Sequence, residues 1–449
     1  MKTSLDAPLI NQVLQDLRPL NRAFAEHYPG EGPGRQPAHT VYGGAHLFRA
    51  DSAPKLGAVA LKFLDRYAPD PATLAAALGV TDEALATKVY ARVVDKLRRE
   101  PVEDFRIDFE DGYGHRSDDE EDGCAVAAAG QVAQGMAEGL LPPFIGIRIK
   151  PFTAELYGRS CRTLDLFLTE LLDRTGGRLP SGFVVTLPKV VGAAQVSALV
   201  ELLARLETGY GLEARSLRLE FMVETTQSII DQSGRCPLPS FVTAAAGRAS
   251  GAHFGVYDYT ASCGITAAYQ AMRHPCCDQA RLVMQQALAG TGVWLSDGAT
   301  NVLPVPPNRP PEGATLSPAA AESNRRTVHQ AWRLHYDDVR HSLATGFYQG
   351  WDLHPAQLVT RYAALYAFFL EGYDSASARL ANFIEQAARA TLVGDVFDDA
   401  ATGQALLNYF LRGLNCGAIT PDEALATGLT REELASRSFR LILERRRGG

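Results

Sequence analysis

RIDFEDGYGHR, residues 106–116, alternates apolar and charged side chains and then turns. Ile107 and Phe109 interleave with Asp108 and Glu110, the pattern of a strand with one apolar face, and Asp111-Gly112 ends the run. Carboxylates are costly to bury unless something pairs with them. The face that carries these acids must therefore look into a polar interior or a binding site.

Seven further segments of the chain read the same way. Together with 105–111 they are 39–44, 144–150, 183–189, 217–225, 252–259, 292–298 and 348–354, separated by stretches of helical period such as 125–140, 162–174 and 193–207. Strand followed by helix predicts parallel strands with crossover helices. Eight such units over about 310 residues predict a (β/α)8 TIM barrel. The expected organisation is an N-terminal helical segment (1–38), a barrel (39–360) and a C-terminal helical extension (361–449). Ser117 with Glu120 reads as a capping box, and the acids at 118–122 read as a solvated first turn favoured by the helix dipole. The proline-rich stretch 299–323 reads as a long βα loop.

Alternation also assigns the charged residues. If Phe105, Ile107 and Phe109 face the helices, Asp108 and Glu110 face the barrel interior. By the same rule Ile145, Ile147 and Ile149 face out, leaving Arg148 and Lys150 inward, and Glu220 and Glu224 are inward on the next acidic strand. Asp108, Arg148, Lys189, Glu224 and Asp258 recur at intervals of 40, 41, 35 and 34 residues. One polar group per βα unit, at the same end of consecutive strands, is the requirement for a single site at the barrel mouth.

Composition narrows the chemistry. The 449 residues are 46% hydrophobic and 21% charged with a net charge of −7, a globular balance without the basic surface that nucleic acid or an anionic membrane requires. No apolar run approaches the roughly 18 residues needed to span a bilayer, and the first twenty residues lack a signal-peptide core. Seven cysteines without a C-x-x-C pair predict reduced thiols in a cytoplasmic protein. Cys276-Cys277 beside His274 raises a metal site, but adjacent cysteines rarely chelate one ion together.

Carboxylates without histidine or cysteine at the same level suit a hard cation, Mg²⁺ or Mn²⁺. Glu224 and Asp258 are the expected direct ligands, and Asp108 and Glu110 are expected to hold metal-bound waters. Arg148 offers a fork to a substrate carboxylate. A metal chelated by a 2-keto acid, with an arginine nearby, stabilises an enolate, which predicts carbon–carbon bond making or breaking next to a carbonyl.

These residues resemble the HpcH/HpaI aldolase and citrate lyase β-subunit superfamily of pyruvate-type TIM barrels, which includes malate synthases. Asp108-Phe109-Glu110-Asp111 is similar to its D-x-E-D, Arg148-Ile149-Lys150 to R-x-N, Leu187-Pro188-Lys189 to L-P-K and Val223-Glu224-Thr225 to I-E-T. Gly255-Val256-Tyr257-Asp258 is similar to G-x-x-D, and Leu353-His354-Pro355-Ala356-Gln357 to I-H-P-x-Q. The resemblance spans roughly 39–360 and implies a Mg²⁺-dependent lyase, with Glu224 and Asp258 on the metal and Arg148 on the keto-acid carboxylate. Asp108, Glu110, Asp111 and Arg148 are the implied catalytic group, with Lys189 and His354 beside the substrate. Asp111 stands where the HpaI-type aldolases keep a histidine base, as in the citrate-lyase type. Lys150 departs from the usual asparagine.

The expected function is thus a carbon–carbon lyase on a 2-keto acid or related acyl substrate, in a homo-oligomer. Two alternatives stay open: a CoA-thioester enzyme of malate synthase or malyl-CoA lyase type, with Arg325-Arg326 as a weak nucleotide contact, and a metabolite-binding barrel without turnover.

Overall fold

The computed structural model describes residues 4–15, 17–310, 315–385, 391–393, 396–398 and 400–448. Eight parallel strands close into a barrel: β1 (His39–Gly44), β2 (Asp104–Asp108), β3 (Phe144–Arg148), β4 (Phe183–Leu187), β5 (Arg218–Val223), β6 (Ala249–Phe254), β7 (Trp294–Ala299) and β8 (Gln349–Asp352). β8 returns to pair with β1. The strands arise where period-two segments rich in β-branched and aromatic residues occur. Their outward set, including Phe105, Ile107, Ile145, Ile147, Val185, Leu219 and Phe221, is buried under the helices. Truncating one of these fully buried side chains, such as Phe221, costs about 3–5 kcal/mol.

The helices α1 (Ala7–Leu14) and α2 (Leu17–His27) precede the barrel and bury no residue. Between β1 and β2 lie α3 (Ser52–Tyr67), α4 (Pro71–Leu78) and α5 (Glu83–Arg99). α6 (Asp118–Glu138), α7 (Tyr157–Thr175) and α8 (Ala193–Tyr210) follow β2, β3 and β4. Short helices α9 (Thr226–Ile229) and α10 (Leu238–Ala244) follow β5, and α11 (Val256–Ser262) and α12 (Pro275–Leu288) follow β6. The proline-rich stretch runs from β7 to α13 (Pro318–Ala344), with 311–314 outside the described residues. After β8, α14 (Gln357–Glu371) packs on α13 and α5 and continues unbroken past residue 360. The chain ends in α15 (Tyr373–Glu385), an antiparallel pair β9 (Thr391–Val393) and β10 (Val396–Asp398), then α16 (Ala400–Cys416), α17 (Pro421–Leu425), α18 (Arg431–Ser436) and α19 (Phe439–Gly448).

Two sequence expectations are corrected here. The acids at 118–122 are not all solvated: Glu121 is buried and bonds Thr163, while Asp122 pairs with Arg159 and Arg162 of α7. Lys150 does not face the interior. Beyond the end of β3 strict alternation lapses, and its ammonium bonds the Phe109 carbonyl at 2.6 Å and Glu121 at 2.9 Å, against the start of α6.

Candidate active site

The strands end earlier than the sequence pattern suggests, and this places the acids. Asp108 is the last residue of β2, while Glu110 and Asp111 sit in the turn that follows. Lys189 and Glu224 lie just past β4 and β5, and Asp258 occupies the first turn of α11. All of them gather at the C-terminal mouth, but from turns and a helix end as well as from strands.

Asp108 is fully engaged. Its Oδ1 accepts from Arg148 Nε at 2.8 Å and from the Glu110 N–H at 2.9 Å. Its Oδ2 accepts from Arg148 Nη2 at 2.6 Å and from the Gly112 N–H at 2.7 Å. No acceptor direction remains for metal-bound water, so the outer-shell role expected of Asp108 gives way to anchoring Arg148. The contact uses the Nε side of the guanidinium. Arg148 still offers the second Nη2 hydrogen and Nη1, which lies 3.1 Å from Glu110 Oε2 and 3.9 Å from Asp111 Oδ2. Its guanidinium lies over the Tyr42 ring, 4.9 Å from the centroid, and 5.9 Å from that of Trp351.

Lys189 is the hub of the remaining acids. Its ammonium bonds Glu110, lies 3.3 Å from both Asp111 oxygens and stands 3.7 Å from Asp258 Oδ1. Its backbone has φ +50°, a left-handed conformation that is costly for lysine. In that conformation its N–H donates to Glu224 Oε1 at 2.7 Å. Gly255 lets the chain pass close by, since a Cβ there would stand 2.5 Å from Glu224 Oε2.

The electrostatics follow from burial. Glu224 is buried, and burial pushes its carboxyl up to about 8, with the charges of Asp258 and Glu110 adding and those of Lys189 and Arg148 opposing. Burial raises Glu110 as well, against the pull of Arg148 and Lys189. For Asp111 burial is outweighed by Arg148 and Lys189, which hold it below the usual carboxylate range.

The donor set is all oxygen, which fits Mg²⁺ or Mn²⁺ and not zinc. Glu110, Asp111 and Asp258 surround the Lys189 ammonium, Arg148 Nη1 lies beside Glu110, and Glu224 takes the Lys189 backbone N–H. Among the described residues no three acidic, histidine or cysteine side chains converge as a ready cage. A hard ion held by one or two carboxylates, with water and substrate oxygens completing its shell, needs none.

His354 stands apart from this cluster. Its Nδ1 accepts from the Ala356 N–H at 3.1 Å, its ring meets Phe63 edge-on, and burial lowers its basicity. It lines a groove of about 560 Å³ with Leu47, Phe48, Leu56 and Leu358, and this groove touches the site through Gly44 and Gly112.

Alternation applied to β1, β2, β6 and β8 would have found four more interior residues. Arg106 bonds Glu220 through Nε at 2.6 Å and Nη2 at 2.9 Å, and also pairs with Asp104. Glu220 is thereby satisfied one layer below the mouth. His253 Nε2 lies 3.1 Å from Glu220, and its Nδ1 accepts from Trp351 Nε1 at 3.1 Å and lies 3.3 Å from the Tyr42 hydroxyl. Because the indole N–H can only donate, Nδ1 carries no hydrogen and Nε2–H points at Glu220. A continuous network thus runs beneath the platform that supports Arg148.

Residues 17–442 match a family described as a domain of unknown function, DUF6986. The chain belongs to the DUF6986 family. Among solved structures, a citrate lyase from Burkholderia xenovorans LB400 shares the fold at a TM-score of 0.56 and 16% identity, over 88% of this chain and 97% of that one. The CitE protein of Mycobacterium tuberculosis, in complex with magnesium, acetoacetate and coenzyme A, gives 0.47 and 16%, over 86% and 100%. Haloferax volcanii malate synthase, in a pyruvate/acetyl-CoA ternary complex, gives 0.44 and 16%, over 92% and 99%. No curated protein matches by sequence. The TIM barrel expected from the chain, and its likeness in fold to citrate lyase-type barrels, are both present. No helix among the described residues is long and apolar enough to cross a membrane.

Proposed function

We propose that this protein is a Mg²⁺-dependent carbon–carbon lyase of the citrate-lyase type, acting on a 2-keto acid or a related acyl substrate. One observation carries the reading: Glu110, Asp111 and Asp258 gather around the Lys189 ammonium at the barrel mouth, and the buried Glu224 takes the Lys189 backbone N–H beside them. Glu224 and Asp258 would hold the ion, which when bound supplies Lewis-acid polarisation of a carbonyl.

The other parts belong to the chain itself. Asp108 holds the Nε side of Arg148, so the guanidinium would meet a substrate carboxylate through its outer edge, Nη1 and the second Nη2 hydrogen. Lys189 contributes a second positive charge at the same level. Asp111 has a half-exposed carboxylate and is ionised at neutral pH, so it can take a proton at the mouth. Asp108 and Arg148 position and bind; Asp111 is the base of choice.

The test is calorimetry with pyruvate or oxaloacetate, with and without Mg²⁺. Glu224→Gln and Asp258→Asn should each abolish the Mg²⁺-dependent binding while circular dichroism stays unchanged. Wild-type affinity in both variants would sink the assignment.

A thioester substrate is the second reading, favoured by the apolar groove beside Gly112, with Arg49 and Lys55 in its lining. Acetyl-CoA should then raise the melting temperature in the presence of Mg²⁺ and glyoxylate. No shift at high concentration counts against it.

A further inference from the structure

We propose that α1 and α2 are a self-association element, through which two copies of this chain pair at the N-terminal face of the barrel. The two helices have eight and eleven residues and bury none of them. Helices shorter than roughly 12–15 residues are marginal in water by themselves. These two therefore need a surface to lie on, and the rest of the chain does not cover them.

Their apolar residues say what kind of surface. Half of the large apolar side chains exposed among the described residues, nine of eighteen, lie from Leu5 to Tyr28. The patch thus belongs to this segment and is not the scattered exposure of an ordinary surface. Ile10, Val13, Leu17, Leu20 and Phe24 recur at alternating steps of three and four residues, and each is 40–67% exposed. Such spacing makes a seam that packs knobs-into-holes on another helix. Gln15 after α1 keeps helical torsions, φ −59° and ψ −37°, so the seam carries towards α2. By the helical period of about 3.6 residues, Arg18, Arg22 and Glu26 fall on the far side of α2.

The occupant that fits is the same segment of a second copy. No other α-helix among the described residues exposes two large apolar side chains, so the chain offers no other seam of matching pattern. A two-fold interface needs a self-complementary patch. With the α2 charges turned away, two such faces meet without like-charge repulsion. A stable interface takes about 20–30 residues a side, and the segment from Leu5 to Tyr28 is of that size. A membrane surface fits poorly: the far side of α2 carries two arginines against one glutamate, and the chain has a net charge of −7.

The element is anchored away from the mouth. The Gly30 N–H donates to the Gly290 carbonyl at 2.8 Å, and Arg35 pairs with Glu100 at 2.6 Å and Glu103 at 2.7 Å. These contacts lie just before β7 and β2, at the end of the barrel opposite the carboxylates, so pairing leaves the mouth open. The proposal does not depend on which substrate the mouth takes.

Sedimentation equilibrium of the full-length protein at micromolar concentration reads the mass, and hydrogen exchange of residues 7–27 reads the cover. The wild type is expected at an even multiple of the 48.5 kDa chain, with the α1 and α2 amides protected. Leu20→Asp/Phe24→Asp should halve that mass and release the protection. The thermal melt of the barrel should stay unchanged, because neither side chain is buried. Val13→Asp on α1 should do the same, whereas Leu282→Asp, at an exposed leucine of α12, should leave the mass intact. A wild-type mass at an odd multiple of one chain, an unchanged mass in the α1 and α2 variants, or protected helices in a species of single-chain mass would overturn the proposal. So would protection that appears only when phosphatidylcholine vesicles are added.

Discussion

Asp108→Asn probes the tightest contact at the mouth without changing its shape. Four donors converge on this carboxylate: Arg148 Nε and the Glu110 N–H on one oxygen, Arg148 Nη2 and the Gly112 N–H on the other. An asparagine amide nitrogen cannot accept. Whichever oxygen it replaces, one guanidinium N–H and one backbone N–H lose their acceptor. A hydrogen bond to a charged group contributes about 1.5–3 kcal/mol, and a stranded buried donor costs about 1–3 kcal/mol. Removing one partner of a buried pair costs about 3–5 kcal/mol. Glu110, 3.1 Å from Nη1, still offsets part of the Arg148 charge, so the expected loss is about 3 kcal/mol, the lower end of that range. Urea unfolding followed by tryptophan fluorescence is the assay, because Trp351 lies against the guanidinium and reports the site directly. In Asp108→Asn/Arg148→Met, where both partners change, much of the loss should return. A single-variant loss below about 1 kcal/mol, the value of an ordinary neutral hydrogen bond, would refute the anchoring role.

Three further outcomes follow from the same geometry. Glu224 keeps its proton in the fold up to about pH 8 against an ordinary value of 4.5; without a divalent ion, the melting temperature should fall as pH rises between those values, and Glu224→Gln should flatten that slope. Gly255→Ala puts a methyl 2.5 Å from Glu224 Oε2, so it should lower stability by about 1–3 kcal/mol and weaken Mg²⁺ binding in calorimetry although no charge changes. Glu423 of α17 is held down to about 2 against burial by Lys88, its own helix cap and Arg92. The docking of α17 on α5 should therefore hold above pH 4.5 and loosen as pH falls towards 2, seen as faster proteolysis near residue 423, and Glu423→Gln should remove the pH dependence.

Local pattern exposed the acids of the mouth but not their partners. Asp108, Glu110, Arg148, Lys189, Glu224 and Asp258 do meet at one end of the barrel, as their regular spacing suggested. Alternation misled for Lys150 because the residue lies beyond its strand, where backbone torsions no longer alternate and the nearest acid, Glu121, is on the helix side. It was not carried to His253, Tyr42 and Trp351, whose strands hold no acidic motif, nor to Arg106, which shares a strand and a face with Asp108. His354 matched a motif, yet its ring lines the groove, accepts the Ala356 N–H and makes no contact with the carboxylates.

The sequence by itself determined the eight βα units, their apolar outward faces and the order of charged residues at the strand ends. Those features are local, set by period-two alternation and by turn and cap residues within a few positions. Only the tertiary structure decided which charge neutralises which. Arg148 reaches back 40 residues to Asp108 and Arg106 forward 114 to Glu220, while Lys189 lies among acids from three different βα units. Such pairings depend on how far each strand is staggered when the barrel closes, and no local stretch of sequence encodes that stagger.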